Sequence, residues 1–321
     1  VAISGTGNLF ANVITMTGSG QATLSGEGGN DILTGGSNKD ILNGGNDNDV
    51  LNGGGEQDIL LGADGNDRLN GGEGNDLLAG GAGIDAMLGG KGNDVYVIWD
   101  TGDTITELFA EGHDTVSSQI ANYILAPNVE DLTLAVGAVN GTGNTLDNVM
   151  TGNNAGNRLD GGIGVDWIEG RNGDDTIIGG LGHGVLLGEG GNDTLRGGTT
   201  WDVLVGGAGA DLLIGDAGGD VFIYQIDDKS ELATLGNDKI NGFQTGFDRI
   251  ELTDLLETYG IDADDAFSGG FVRLTKSGSD TLVQFDVDGT ADAASPLTMA
   301  TAVNATVAAD DLMVEWYATW L

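Results

Sequence analysis

The chain has 321 residues, with 60 glycines, 2 prolines, no cysteine, and 11 Lys and Arg against 50 Asp and Glu, a net charge of −39. Those figures leave room for one large domain or two ordinary ones. They exclude collagen and proline-rich linkers, any scaffold of disulfides or thiolate-bound metal, and binding to nucleic acid or to an anionic membrane surface. Cations are the partners such a charge calls for. With 39% hydrophobic residues, the chain is expected to be disordered without a counter-ion and ordered with one. No apolar run reaches the roughly 18 residues of a membrane span, and no basic stretch followed by an apolar core opens the sequence. Val1 in place of Met leads us to expect a processed chain or a piece of a longer parent.

In chain order, residues 1–25 read as degenerate entry or cap coils and contain "GTGNLFANVIT" at 5–15. Residues 26–98 follow a nine-residue clock, with aspartate at Asp31, Asp40, Asp49, Asp58, Asp67, Asp76, Asp85 and Asp94. Two places after each stands an apolar residue: Leu33, Leu42, Leu51, Leu60, Leu69, Leu78, Met87 and Tyr96. Residues 99–140 lose the clock, gain β-branched and aromatic residues, and read as a β-rich linker of ordinary strands with one short turn or helix. Residues 141–160 are again entry coils. "GTGNTLDNVMT" at 141–151 repeats the opening motif 136 positions later, so the chain is two copies of one module with different endings. A first copy beginning so near residue 1 suggests a further module upstream.

The second block, 161–224, carries Asp166, Asp175, Asp193, Asp202, Asp211 and Asp220, with Gly184 breaking the series. Residues 225–321 read as a β-rich cap of strands and hairpins, with a helical turn near 253–259.

The period divides into a six-residue glycine turn and a three-residue strand. Glycine reaches positive φ at no steric cost, and the strand turns its one reliable apolar side chain inward. Two units make a coil of 18 residues with a turn on each side, and stacked coils bury the aliphatic row. Aspartates 18 apart then share a side: Asp31, Asp49, Asp67 and Asp85 on one, and Asp40, Asp58, Asp76 and Asp94 on the other. In the second block the sets are Asp175, Asp193 and Asp211, and Asp166, Asp202 and Asp220. Strands stack about 4.8 Å apart, so without a metal each row would hold like charges uncompensated. Calcium takes six to eight oxygen ligands at about 2.3–2.6 Å in tolerant geometry, which glycine-turn carbonyls and aspartates can provide. Magnesium demands a near-octahedral shell and zinc would want His or Cys.

"GGEGNDLLA" at 71–79, "GGAGIDAML" at 80–88 and "GGKGNDVYV" at 89–97 resemble the G-G-x-G-x-D-x-U-x repeat of the RTX (repeats-in-toxin) family. The resemblance covers about half the chain. It implies an all-β fold, a parallel β-roll (right-handed, β-helix-like) in two calcium-loaded blocks. It also implies export by a type I, ABC-type apparatus, a C-terminal secretion region, and an extracellular or cell-surface destination. Departures follow the sequence. Gly184 removes a carboxylate from its row; Asn12, Asn148 and Asn157 hold the aspartate phase without its charge and mark metal-poor caps; "GGSNKDILN" and "GGTTWDVLV" lack the third glycine, which predicts some strain.

Other readings are weaker. His113 and His183 stand far apart and read as surface residues. Neither H-E-x-x-H nor G-x-S-x-G occurs, so no enzyme is expected in this stretch. "DVDGTAD" at 286–292 lacks most of an EF-hand loop and reads as a hairpin turn. "LMVEWYATWL" at 312–321 reads as an exporter-recognition tail, a contact for a neighbouring molecule, or packing on the last strands. The expected function is a calcium-binding structural or adhesive surface-protein segment, such as an S-layer or adhesin, with self-assembly or a cell-surface polysaccharide as further partners. The alternative is the C-terminal module of a secreted protease, lipase or alginate epimerase.

Overall fold

A computed structural model describes residues 3–17, 20–226, 229–289 and 296–313. The chain divides into two units, Val1–Val149 and Met150–Leu321. In both, nearly all strands are short and parallel, and no helix among the described residues is long and apolar enough to cross a membrane.

In the first unit each repeat strand pairs with the strand 18 residues on. Ile41 faces Ile59, and Ile59 faces Leu77, in one sheet. Val50 faces Arg68, and Arg68 faces Ala86, in the other. One nonapeptide per sheet and two per coil follow directly from that register. Leu42, Leu60, Leu78 and Tyr96 from one sheet and Leu33, Leu51, Leu69 and Met87 from the other are each at most 2% exposed. Burial of such a side chain contributes about 1.5–3 kcal/mol, and the stacked rows constitute the core.

The strands are longer than the three residues expected. Leu77–Ala82 has the burial pattern iBiBie, in which Leu78 and the first glycine of the next turn, Gly80, point inward. The ladder continues through the glycine pair, with Gly54 opposite Gly72 and Gly72 opposite Gly90. The three motif glycines answer different demands. A Cβ on Gly80 would collide with the Asp85 carboxylate, whereas Gly81 (φ 102°) and Gly83 (φ 139°) hold left-handed turns, each against the backbone carbonyl of the coil before. The strain expected in the two turns singled out for lacking a third glycine is absent, because Asn38 and Thr200 do not take positive φ; it falls instead on Asp47 (φ 76°) and Glu56 (φ 64°), which also stand in the place of the third glycine.

The linker does not leave the roll. Thr104–Thr106 adds to one sheet beside Ala86–Lys91, while Thr115–Ser118 and then Asp131–Leu134 add to the other beyond Val95–Ile98. In the second unit the same register runs from Arg158–Ile163 and Asp166–Glu169 through Leu212–Asp216 and Val221–Ile223. It continues past the repeats into Asp238–Asn241 and Arg249–Glu251. Leu297–Val303 is the last parallel addition to one sheet. Its other edge carries an antiparallel hairpin of Asp280–Phe285 and Val272–Ser277. The helical turn expected near 253–259 is the helix Thr253–Tyr259, followed by Ala263–Ser268. Residues 314–321, most of the aromatic tail, lie outside the described residues, as do 290–292 of the "DVDGTAD" stretch.

Candidate metal centres

All fourteen aspartates singled out in the sequence are buried, each at 2% exposure or less. Their arrangement repeats. One carboxylate oxygen, Oδ1, accepts the backbone N–H of the residue one coil earlier: Asp31 donates to Asp49, Asp49 to Asp67, and Asp67 to Asp85, at 2.7, 2.7 and 2.8 Å. In the other row Asp40 donates to Asp58, Asp58 to Asp76, and Asp76 to Asp94, each at 2.7 Å. Asp31 and Asp40 themselves accept from Asn12 and Ala22. The second unit repeats the pattern through Asp175, Asp193 and Asp211, and through Asp202 and Asp220.

The second oxygen, Oδ2, has no hydrogen-bond partner in any of these thirteen aspartates. Asp166 is the exception. Opposite it stands Gly184, which has no carboxylate to offer, and the Asp166 amide donates instead to the His183 carbonyl at 3.0 Å. The orphaned Oδ2 sits over the first glycine of its own repeat, where a glycine carbonyl from the next coil also converges. A Cβ on Gly26 would collide with both Asp31 Oδ2 and the Gly44 carbonyl, and one on Gly62 with both Asp67 Oδ2 and the Gly80 carbonyl.

Burial therefore works against ionisation. Asp58, Asp94, Asp193, Asp202 and Asp220 are pushed up to about 7 and Asp67 and Asp175 to about 6. Desolvation is the largest cause, repulsion from neighbouring acids adds to it, and the backbone N–H bond opposes it. Leaving Asp166 aside, the compensation is not lysine or arginine. Among the described residues the ion pairs join carboxylates outside the rows, as in Lys91–Glu73 and Arg273–Asp286. Unpartnered buried carboxylate oxygens beside backbone carbonyls, with no nitrogen or sulfur donor, are a donor set for a hard divalent cation. The residues fit calcium.

The family model of the RTX calcium-binding nonapeptide repeat, in four copies, matches residues 16–51, 25–60, 61–96, 151–186 and 187–222. Those stretches of the chain are RTX calcium-binding repeats. Among solved structures, the chain is similar to the AlgE6R3 subunit of the Azotobacter vinelandii mannuronan C5-epimerase. The two are 26% identical over 53% of this chain and 78% of that one, with a TM-score of 0.20. No curated protein matches the chain.

The rows of this RTX roll also run past the motif. Asp85 donates to Asp103 and Asp94 to Asp114 in the first unit, and Asp211 to Asp238 and Asp220 to Asp248 in the second. Sequence reading missed three of these because insertions stretch the step to 20, 27 and 28 residues. Asp103 escaped notice because the glycine clock had stopped, although it stands 18 residues after Asp85. A signal remains, since each keeps an apolar residue two places on: Ile105, Val116, Ile240 and Ile250. The asparagines close the rows at their starts. Asn12, Asn148 and Asn157 turn their Oδ1 to the N–H four residues back, on Asn8, Asn144 and Asn153. His113 lies at the surface against Asp131, and His183 stacks on Trp201 at 4.5 Å. Asp286 of the EF-hand-like stretch pairs with Arg273 at 2.6 Å.

Proposed function

We propose that this chain is an extracellular β-roll that binds several calcium ions along its aspartate rows and folds as it binds them. The ligands are the row residues Asp31, Asp40, Asp49, Asp58, Asp67, Asp76, Asp85 and Asp94 in one block. In the other they are Asp166, Asp175, Asp193, Asp202, Asp211 and Asp220, each aided by carbonyls of the adjoining glycine turns. The single observation that carries this reading is the repeated Oδ2, buried and unpartnered, facing a carbonyl of the next coil. Bound calcium supplies positive charge that offsets the buried carboxylates. The chain's own part is to fix each carboxylate through Oδ1, so that Oδ2 is already aimed.

Coupling between binding and folding then gives the switch. In a calcium-poor cytosol the acidic rows repel and the chain stays extended for a type I exporter. In calcium-rich surroundings outside, the coils stack. Tandem repetition of the whole module supports a structural or adhesive role at a cell surface. Circular dichroism and sedimentation velocity during titration from chelator to about 10 mM calcium, with magnesium in parallel, test the reading. Cooperative gain of β-structure with calcium alone is expected, and growth into large species accompanies it if the roll self-assembles. A complete fold in chelator overturns the switch.

A further inference from the structure

At the end of the first block three buried carboxylates meet that the nonapeptide pattern does not explain. Asp94 closes the last repeat, Asp114 continues its row, and Glu107 arrives from the linker strand region between them. One carboxylate oxygen from each lies within 4.8 Å of the others, and the three residues are 1%, 6% and 1% exposed for Asp94, Glu107 and Asp114. Two of the cluster's oxygens have no hydrogen-bond partner, Asp94 Oδ2 and Glu107 Oε2, and Asp94 Oδ2 converges over Gly89 with the Tyr96 hydroxyl that bonds Glu107.

We propose that Asp94, Glu107 and Asp114 form a calcium site of a second kind, in which a glutamate from outside the repeats supplies a ligand that no glycine turn provides. The inference rests on the calcium reading of the rows and adds to it a site with three carboxylates. Its residues are held in advance. The Asp94 amide donates to Asp114 Oδ1 at 2.8 Å. Tyr96, in the place that leucine takes in most other repeats, accepts the Gly89 amide at 2.6 Å and donates its hydroxyl to Glu107 Oε1. Asn128 Nδ2 anchors the Glu107 carbonyl at 2.9 Å. That tyrosine has a use here that leucine could not serve, since its hydroxyl fixes one glutamate oxygen and leaves the other without a hydrogen-bond partner.

The separations suit the metal. Oxygens bound to one calcium at about 2.3–2.6 Å lie no more than about 5 Å apart, and the three ligand atoms fall inside that span. Three buried carboxylates this close repel one another strongly unless a cation or protons intervene. His113, the nearest basic side chain in sequence, is turned to Asp131 at 3.0 Å, and Lys91 to Glu73 at 2.8 Å.

Native mass spectrometry of the full chain in calcium, with far-ultraviolet circular dichroism alongside, tests the site. Glu107→Gln keeps size and shape, so the variant is expected to fold in calcium and to carry one ion fewer than the parent. Asp114→Asn still accepts the Asp94 amide through Oδ1 and is expected to lose the same ion, while Glu73→Gln, at the surface, keeps the full count. A parent count retained in both Glu107→Gln and Asp114→Asn overturns this site and leaves the row reading standing. A parent chain that binds no calcium overturns both.

Discussion

The two blocks share a register but not a complete set of carboxylates, and the contrast at Gly184 separates two jobs of the row aspartate. Throughout the first block an aspartate both caps the amide one coil earlier and presents a spare oxygen inward. At Gly184 both functions are lost, yet the coil stacks in register, with Asp166 opposite Gly184 and Ile168 opposite Leu186. The Asp166 amide finds the His183 carbonyl, and the strands there begin at Asp166 and Gly184, on the aspartate position itself rather than one residue after it. Backbone pairing and the Leu/Ile core are thus enough to hold one coil in place. The carboxylate adds charge, and with it dependence on a counter-ion.

The widest test of that contrast is pH in the absence of metal. The five row aspartates at about 7, against an ordinary 3.8, make the folded chain bind more protons than the unfolded one between about pH 4 and pH 7. Metal-free stability therefore falls as pH rises through that window and is greatest at its acid end. Far-ultraviolet circular dichroism in chelator should show β-structure gained as pH is lowered from 7.5 to 4.5, and a flat profile would mean the carboxylates are compensated in some other way. In saturating calcium the slope should shrink.

A smaller effect distinguishes core from charge. Leu60 and Leu186 are both fully buried, one in an intact row and one two residues after the gap. Leu60→Ala and Leu186→Ala in calcium should each cost about 2–5 kcal/mol, read from denaturant unfolding. A much smaller loss at Leu186 would show that its coil is already loose.

Repairing the gap should give the smallest change. A Cβ at Gly184 meets Asp202 Oδ1 and a Leu186 methyl at 3.3 Å, a tight fit that small side-chain adjustments can relieve. Gly184→Asp should add one calcium to the count and move the Asp166 amide resonance as its acceptor changes from carbonyl to carboxylate. An unchanged count would show that the second block's row cannot be completed by charge alone.

Most of the roll could be read from the sequence, because one period controls three things at once: the φ of the turn, the inward aliphatic residue and the aspartate. Gly81, Gly83, Leu78 and Asp85 are each required by a contact one coil away, so their spacing is rigid. Beyond the repeats the coil remains and only the turn lengthens, as between Asp211 and Asp238. An exposed turn absorbs extra residues at little cost, so the clock fails there while the fold does not. Strand length was misjudged because glycine suggests a turn, yet Gly54 and Gly72 belong to the ladder. Glu107 gave no periodic signal at all, since its place is set by Tyr96 and Asn128 and not by a repeat.

The direction of the Oδ1 bond gives the molecule a polarity along its length. Each row aspartate's amide is closed by the coil that follows, whereas turn amides such as those of Asn66 and Ile84 are closed by an asparagine of the coil before. Shortening the roll from its C-terminal side would strip a buried donor of its acceptor, a costly orphan. Shortening from the N-terminal side would leave the row itself with only a spare carboxylate lone pair, and would strip acceptors from exposed turn amides such as that of Asn66, which water can serve. As far as the aspartate rows go, the two ends are therefore unequal: only the C-terminal one leaves a buried row amide that needs a carboxylate, or a carbonyl as at His183, to finish it.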